Sequence, residues 1–207
     1  MILTLDHILM GAPDLEAALE AVSTLSGVTP AGGGSHSGFG TRNQLLSLGD
    51  ELFFEIIAPD PKQKKRGRRA VGLEDLTAPG MLTFCVRSPD LAGAAARAKA
   101  AGLSSQEPVA MSRIRGDGVR LAWEILYLDA SRWGDAIPFV IDWKGSPHPA
   151  KTSPGGCTLL DFTVLHPNAA ELGTLYEALG VDVPVRAALS PGFVLKLDTP
   201  RGEVVLT

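Results

Sequence analysis

Apolar positions along the chain alternate between the two-residue period of a strand and the 3.6-residue period of a helix, and this switch recurs three times in one order. Residues 2–11 (ILTLDHILMG) read as a strand. Pro13-Asp14-Leu15 then opens an Ala/Leu/Glu-rich helix over 14–26, which Gly27 stops. Residues 81–88 (MLTFCVRS) lead in the same way through Pro89-Asp90-Leu91 into AGAAARAKAAG, ending on Gly102. The third copy is fainter: 157–166 (CTLLDFTVLH), Pro167, then NAAELGTLYEALG, closing on Gly180. Asp or Asn after each proline supplies the side-chain acceptor that a helix start needs, and the closing glycines suit a left-handed cap.

Each predicted helix is followed by β-like runs: 43–48 and 51–58; then 109–114, 119–128 and 137–143; then 183–189, 193–198 and 203–207. The chain is thus expected to be α+β, with βαβββ modules over 1–60 and 80–145 and a βαβββ-like module over 157–207. Linkers fall at 59–80 and at 144–156, the latter rich in Pro, Gly and Ser around His148. The basic run from Lys62 to Arg69 reads as a solvated loop, because it lacks the Gly-rich strand-to-helix setting of a phosphate site.

Composition narrows the functional classes. With 207 residues and 45% apolar content the chain can bury a real core. The 19 basic residues against 23 acidic ones give a net charge of −4, so no overall positive field draws it to nucleic acid or to an anionic membrane. The N-terminus lacks the basic and uninterrupted apolar regions of a secretory signal, and no apolar run of about 18 residues occurs, so the expected location is the cytoplasm. Cys85 and Cys157 stand singly in apolar runs and read as buried thiols.

A tandem βαβββ unit opening with LDHI resembles the vicinal-oxygen-chelate superfamily, which includes glyoxalase I, extradiol dioxygenases, methylmalonyl-CoA epimerase and bleomycin-resistance proteins. The stretch GGGSHSGFGTRNQLLSLGDELFFEI at 32–56 is similar to the GG-x-H-x-x-x-GT-x-N signature of a glyoxalase-like domain family. The segment from Arg113 and Arg115 through Asp117-Gly118 to Leu121 and Trp123, before PFVIDW at 138–143, fits the same family. The likeness covers roughly 3–145. It implies that two modules pair into a half-open barrel of mixed sheets, with metal ligands from the first and last strands of each.

Carried over position by position, this places His7 and Glu55 as module-one ligands, with Thr83 opposite His7 and Asp142 near the Glu55 position. The expected metal set is therefore His7, Glu55 and Asp142, around zinc, nickel, manganese or iron, with Glu55 or Asp142 also as the catalytic base. His7 shares a strand face with Leu5 and Leu9 if the alternation is regular. It then serves either a metal or a metal-free hydrogen bond to Glu55.

The Gly-rich stretch reads as a loop whose backbone can approach a ligand closely. His36, Thr41, Arg42 and Asn43 beside it are expected to bind an anionic or carbonyl-bearing small molecule, Arg42 by forking onto a carboxylate. Arg113, Arg115 and Arg120 alternate with Ile114 and Val119 around a hairpin turn at Gly116-Asp117-Gly118; Arg113 and Arg115 would share one face beside Trp123, while Trp143 would give the substrate an apolar wall. The resemblance implies a metal-dependent lyase, isomerase or dioxygenase acting on a small carbonyl or hydroxy-acid compound. Its alternative is a metal-free protein that sequesters a small molecule, like the bleomycin-resistance proteins. A barrel uses two modules, so the third either packs outside the pair or finds its partner in a second chain. A homodimer is the expectation it raises.

Overall fold

The computed structural model describes residues 2–115 and 117–207. Gly116, the first residue of the expected Gly-Asp-Gly turn, lies outside the described residues. In the first module β1 (Thr4–Gly11) and α1 (Leu15–Ser26) are followed by the meander β2 (Ala31–His36), β3 (Thr41–Ser47) and β4 (Phe53–Pro59). After α2 (Arg68–Glu74) the second module runs through β5 (Gly80–Arg87), α3 (Leu91–Ala100), β6 (Val109–Ile114), β7 (Arg120–Leu126) and β8 (Phe139–Asp142). The third holds β9 (Thr158–His166), α4 (Ala169–Leu179), β10 (Val185–Ala187), β11 (Gly192–Thr199) and β12 (Gly202–Leu206). Asp14 and Asp90 cap α1 and α3, accepting from Ala17 N and Gly93 N, each at 2.8 Å. Gly27 and Gly180 end α1 and α4 in left-handed geometry, at φ of 77° and 78°.

Two expectations change here. The Gly-rich stretch is a strand, β2, because backbone pairing with β3 does not require side chains. The basic linker is only partly loop, since Arg68–Glu74 forms α2, whose Leu73 packs into the barrel wall at Gly11.

β1 pairs in parallel with β4, and β5 in parallel with β8, while β1 and β5 join antiparallel at the centre. One curved eight-stranded sheet results, ordered β2-β3-β4-β1-β5-β8-β7-β6. Its edge strands β2 and β6 approach without forming a ladder among the described residues. Arg113 Nη1 bridges them, donating to Gly32 O at 2.9 Å. The third module repeats the order of elements but not of strands, its sheet running β10-β9-β11-β12.

That sheet packs outside the pair. Phe162, Val164, Phe193, Leu195 and Leu197 join Ile8, Phe54, Phe84 and Val140 of the convex face, together with the inner faces of α1, α3 and α4, in one core. Phe84 lies edge-on to Phe162 at 5.4 Å, and Phe162 stacks on Phe193 at 6.0 Å. The apolar face that raised the expectation of a homodimer is therefore covered within the chain. Among the described residues no helix is long and apolar enough to cross a membrane.

The concave face carries a separate cluster of Leu9, Ile57, Cys85, Leu121, Trp123, Ile125, Phe139 and Ile141. The two linkers cover opposite ends of it. Leu73 of α2 belongs to the cluster containing Ile57, near the end of β4, while Ala150 of the second linker packs on Leu45, Phe53 and Trp143, where β4 begins.

Candidate active-site cleft

The concave face encloses a cleft of about 730 Å3, its mouth included, lined on the polar side by His7, His36, Thr41, Asn43, Glu55 and Arg113. Its apolar walls include Phe53, Trp123, Phe139 and Trp143.

His7 reaches the cleft through a break in the strand alternation. The register of β1 against β5 shifts between Leu5 and His7, so Asp6 is an extra residue on β1. Leu3 and Leu5 before the bulge pack into the convex core, as do Ile8 and Met10 after it. The expected face shared by Leu5, His7 and Leu9 is thereby corrected: His7 and Leu9 line the cleft, and Leu5 packs on the other side.

The bulge also turns Asp6 toward His7. Asp6 is fully buried, and its Oδ1 accepts from His7 Nδ1 at 2.6 Å. Its Oδ2 accepts from Trp143 Nε1 at 3.0 Å and from His148 Nε2 at 3.2 Å, with Arg87 Nη1 at 3.7 Å. Burial pushes this carboxyl up, but the hydrogen bonds and positive fields of His148 and His7 outweigh it and hold the group well below the usual carboxylate range. Asp6 thus ties Trp143, just past β8, and His148 of the second linker to the strand bearing His7. The spacing of residues showed none of this, since the bulge leaves no mark on hydrophobic periodicity.

On the next strand Glu55 is buried, with Oε2 3.4 Å from His7 Nε2. Its Oε1 accepts from Asn43 Nδ2 at 2.8 Å, and Asn43 Oδ1 in turn accepts from Gly34 N at 3.0 Å. A Cβ on Gly33 would lie 2.0 Å from Asn43 O, so glycine is required there for β2 to lie against Asn43. The glycines therefore support the residue that orients Glu55. His36 holds Thr41 Oγ1 through Nδ1 at 2.8 Å. Burial lowers its pKa, Glu55 opposing and Arg113 and His7 assisting, so the ring is neutral at pH 7.

Three expected residues do not join this group. Asp142 lies on the face of β8 opposite Phe139 and Ile141, where it accepts from Lys144 N at 2.8 Å and sits 3.4 Å from Lys144 Nζ. It is Ile141 that occupies the inward position expected of a second carboxylate. Arg42 points outward between Thr41 and Asn43 and forks onto Glu16, both bonds at 2.7 Å. Arg115 lies past the end of β6, paired with Asp117 and donating to Thr152 Oγ1 at 3.0 Å. Thr83 donates to Asp135 O at 2.9 Å, and it is Cys85 that pairs across from His7. Arg69 and Tyr127 also line the cleft, Arg69 from within the run expected to be solvated.

The residues fit a divalent ion at one place. Nδ1 of His7 is engaged by Asp6, so Nε2 is the ring atom left to a metal, and it faces Glu55 Oε2. The 3.4 Å between them has room for a shared metal ion, and a proton on Nε2 fills the same gap. Ligand atoms about 2.1 Å from a tetrahedral ion stand about 3.4 Å apart. Asp6 fills the outer role, orienting the ring through its other nitrogen. Asp6, His7 and Cys85 also bring one donor atom each within 4.8 Å of one another. There Asp6 is already saturated by its donors, and burial raises the Cys85 thiol well above its ordinary range. The His7–Glu55 pair is the better site.

A family model described as a glyoxalase-like domain matches residues 5–180. The chain belongs to this family. The match takes in both barrel modules and continues through α4, beyond the 3–145 expected from sequence. No curated protein matches the sequence. Among solved structures, a hypothetical protein from Staphylococcus aureus superposes with a TM-score of 0.73 at 14% identity, covering 92% of this chain and 88% of that one. A 4-hydroxymandelate synthase mutant from Streptomyces coelicolor gives 0.59 at 15%, covering 99% of this glyoxalase-like chain and 62% of its own. A methylmalonyl-CoA epimerase variant from Streptomyces coelicolor, in complex with 2-nitronate-propionyl-CoA, gives 0.52 at 14%, covering 71% and 99%. These likenesses establish a shared fold.

Proposed function

We propose that the cleft is the active site of a glyoxalase-like enzyme acting on a small carbonyl or hydroxy-acid compound, with His7 and Glu55 holding a divalent cation. The observation that carries this reading is the pair His7 Nε2 and Glu55 Oε2, 3.4 Å apart in a buried cleft with the far side of the ring fixed by Asp6. A divalent ion bound there supplies Lewis acidity toward a substrate oxygen. The chain's own groups do the rest. Glu55 is the one carboxylate among the described residues that lines the cleft, so it is the base for a proton next to a carbonyl. Asn43 keeps Glu55 aimed, Arg113 answers negative charge, and neutral His36 offers a hydrogen bond. Trp123, Trp143, Phe53 and Phe139 shield the reacting atoms from water.

The alternative, a metal-free sequestering protein, draws on the second module, where Cys85 and Ile141 stand in place of further good ligands. In that case a proton on Nε2 takes the place of the ion, and His7 is an imidazolium between two carboxylates. Calorimetric titration of chelator-treated protein with zinc, nickel, manganese and iron(II) separates the two. The enzyme reading expects one ion per chain, lost in His7→Ala and Glu55→Gln. Absence of binding by all four ions overturns it and leaves the sequestering protein.

A further inference from the structure

Among the described residues two cationic side chains, Arg113 and Arg69, line the cleft without a carboxylate partner, and they stand toward opposite ends of it. Arg113 of β6 is only 7% exposed. One of its N–H groups reaches Gly32 O, and among the described residues no acid lies within 4.0 Å of its guanidinium. A buried guanidinium without a counter-charge is costly, and an anion entering the cleft would remove that cost. Glu55 attracts Arg113 from farther off, but it is engaged with Asn43 and faces His7.

Arg69 enters from α2, likewise without an acidic partner within 4.0 Å among the described residues. It acts on Tyr127, whose hydroxyl burial drives up and Arg69 draws down. Arg113 pairs across from Leu121, and Tyr127 lies six residues farther along that strand, just past the end of β7. At about 3.3 Å per residue the two strand positions are about 20 Å apart. Between them the wall is apolar, made by Met111, Trp123, Ile125 and Phe139.

We propose that the ligand is a dianion, with one carboxylate on Arg113, a second anionic group at Arg69 and an apolar middle against the aromatic wall. This rests on reading the cleft as a small-molecule site, and it does not require the metal. The test is calorimetry on the full chain, chelator-treated and again after adding zinc, with straight-chain dicarboxylates from succinate to suberate and the monocarboxylates of matching length. A dicarboxylate of the fitting length is expected to bind about tenfold tighter than its monocarboxylate, the difference one charge-assisted contact makes. Arg69→Gln, at a half-exposed position, removes that advantage and leaves monocarboxylate binding unchanged. Arg113→Gln weakens both, and Arg113→Lys restores part. Equal binding of the two classes, an advantage that survives Arg69→Gln, or no binding by either class overturns the proposal. Failure of the metal reading shows separately, as no zinc uptake with the dicarboxylate preference intact.

Discussion

Replacing Asp6 by alanine removes the acceptor shared by His7 Nδ1, Trp143 Nε1 and His148 Nε2, which reach it at 2.6, 3.0 and 3.2 Å. Water has no ready access, since Asp6 is fully buried and His7 is only 4% exposed. Removing one member of a buried charged network costs about 3–5 kcal/mol. That is a large part of the roughly 5–15 kcal/mol that holds a domain folded, and it lowers the melting temperature by roughly 10 °C. Urea unfolding at pH 7, followed by circular dichroism, reads the difference directly, and Asp6→Asn should recover part of it by keeping an acceptor. The pH dependence follows from the depressed folded-state pKa of Asp6. Its contribution is complete above the unfolded value of about 3.9 and is lost as the pH falls through and below it. The gap between wild type and Asp6→Ala should be full at pH 7 and narrow below about pH 4. A variant within about 1 kcal/mol of wild type at pH 7, small beside the cost of breaking a buried network, would refute the idea that Asp6 binds the second linker to the strand bearing His7.

Other substitutions probe single links. Gly33→Ala would place a methyl 2.0 Å from Asn43 O and should cost about 1–3 kcal/mol while weakening ion uptake, because Asn43 would release Glu55. Unchanged melting and unchanged titration would count against that support. Asp142→Asn should leave ion binding intact and stability within about 0.5 kcal/mol, since its carboxylate faces Lys144. Loss of the ion in this variant would return Asp142 to the site. Tyr176→Phe keeps the ring among Phe84 and its neighbours but leaves Ala136 O without its buried donor, for about 1–2 kcal/mol in thermal unfolding. Cleft binding should not change.

What the sequence disclosed follows from where its periodicity is clean. The helices of the first two modules carry Asp caps that act as read, and the three-fold recurrence of strand, helix and strands is present in the fold. β2 escaped because three glycines give a strand no alternation of apolar and polar side chains to detect. Arg42 and Asp142 were misassigned although alternation was visible. Thr41 and Asn43 face inward around Arg42, and Ile141 and Trp143 face inward around Asp142, so neither residue shares the cleft face. Matching strand ends in place of strand faces put Asp142 beside Glu55. The Asp6 bulge depends on pairing with β5, and Arg69, Tyr127 and His148 come from segments whose positions are set by packing against distant strands. Long-range contacts of this kind have no local signature.

What lies between His7 and Glu55 decides whether the cleft is a metal site. Crystals grown from chelator-treated protein and soaked in manganese or zinc, with data collected at the metal's absorption edge, locate any bound ion by its anomalous signal. One peak is expected within coordination distance of both His7 Nε2 and Glu55 Oε2, with Asp6 still bonded to Nδ1. No peak in the cleft, or a peak seated on Asp6 and Cys85, would contradict the His7–Glu55 site.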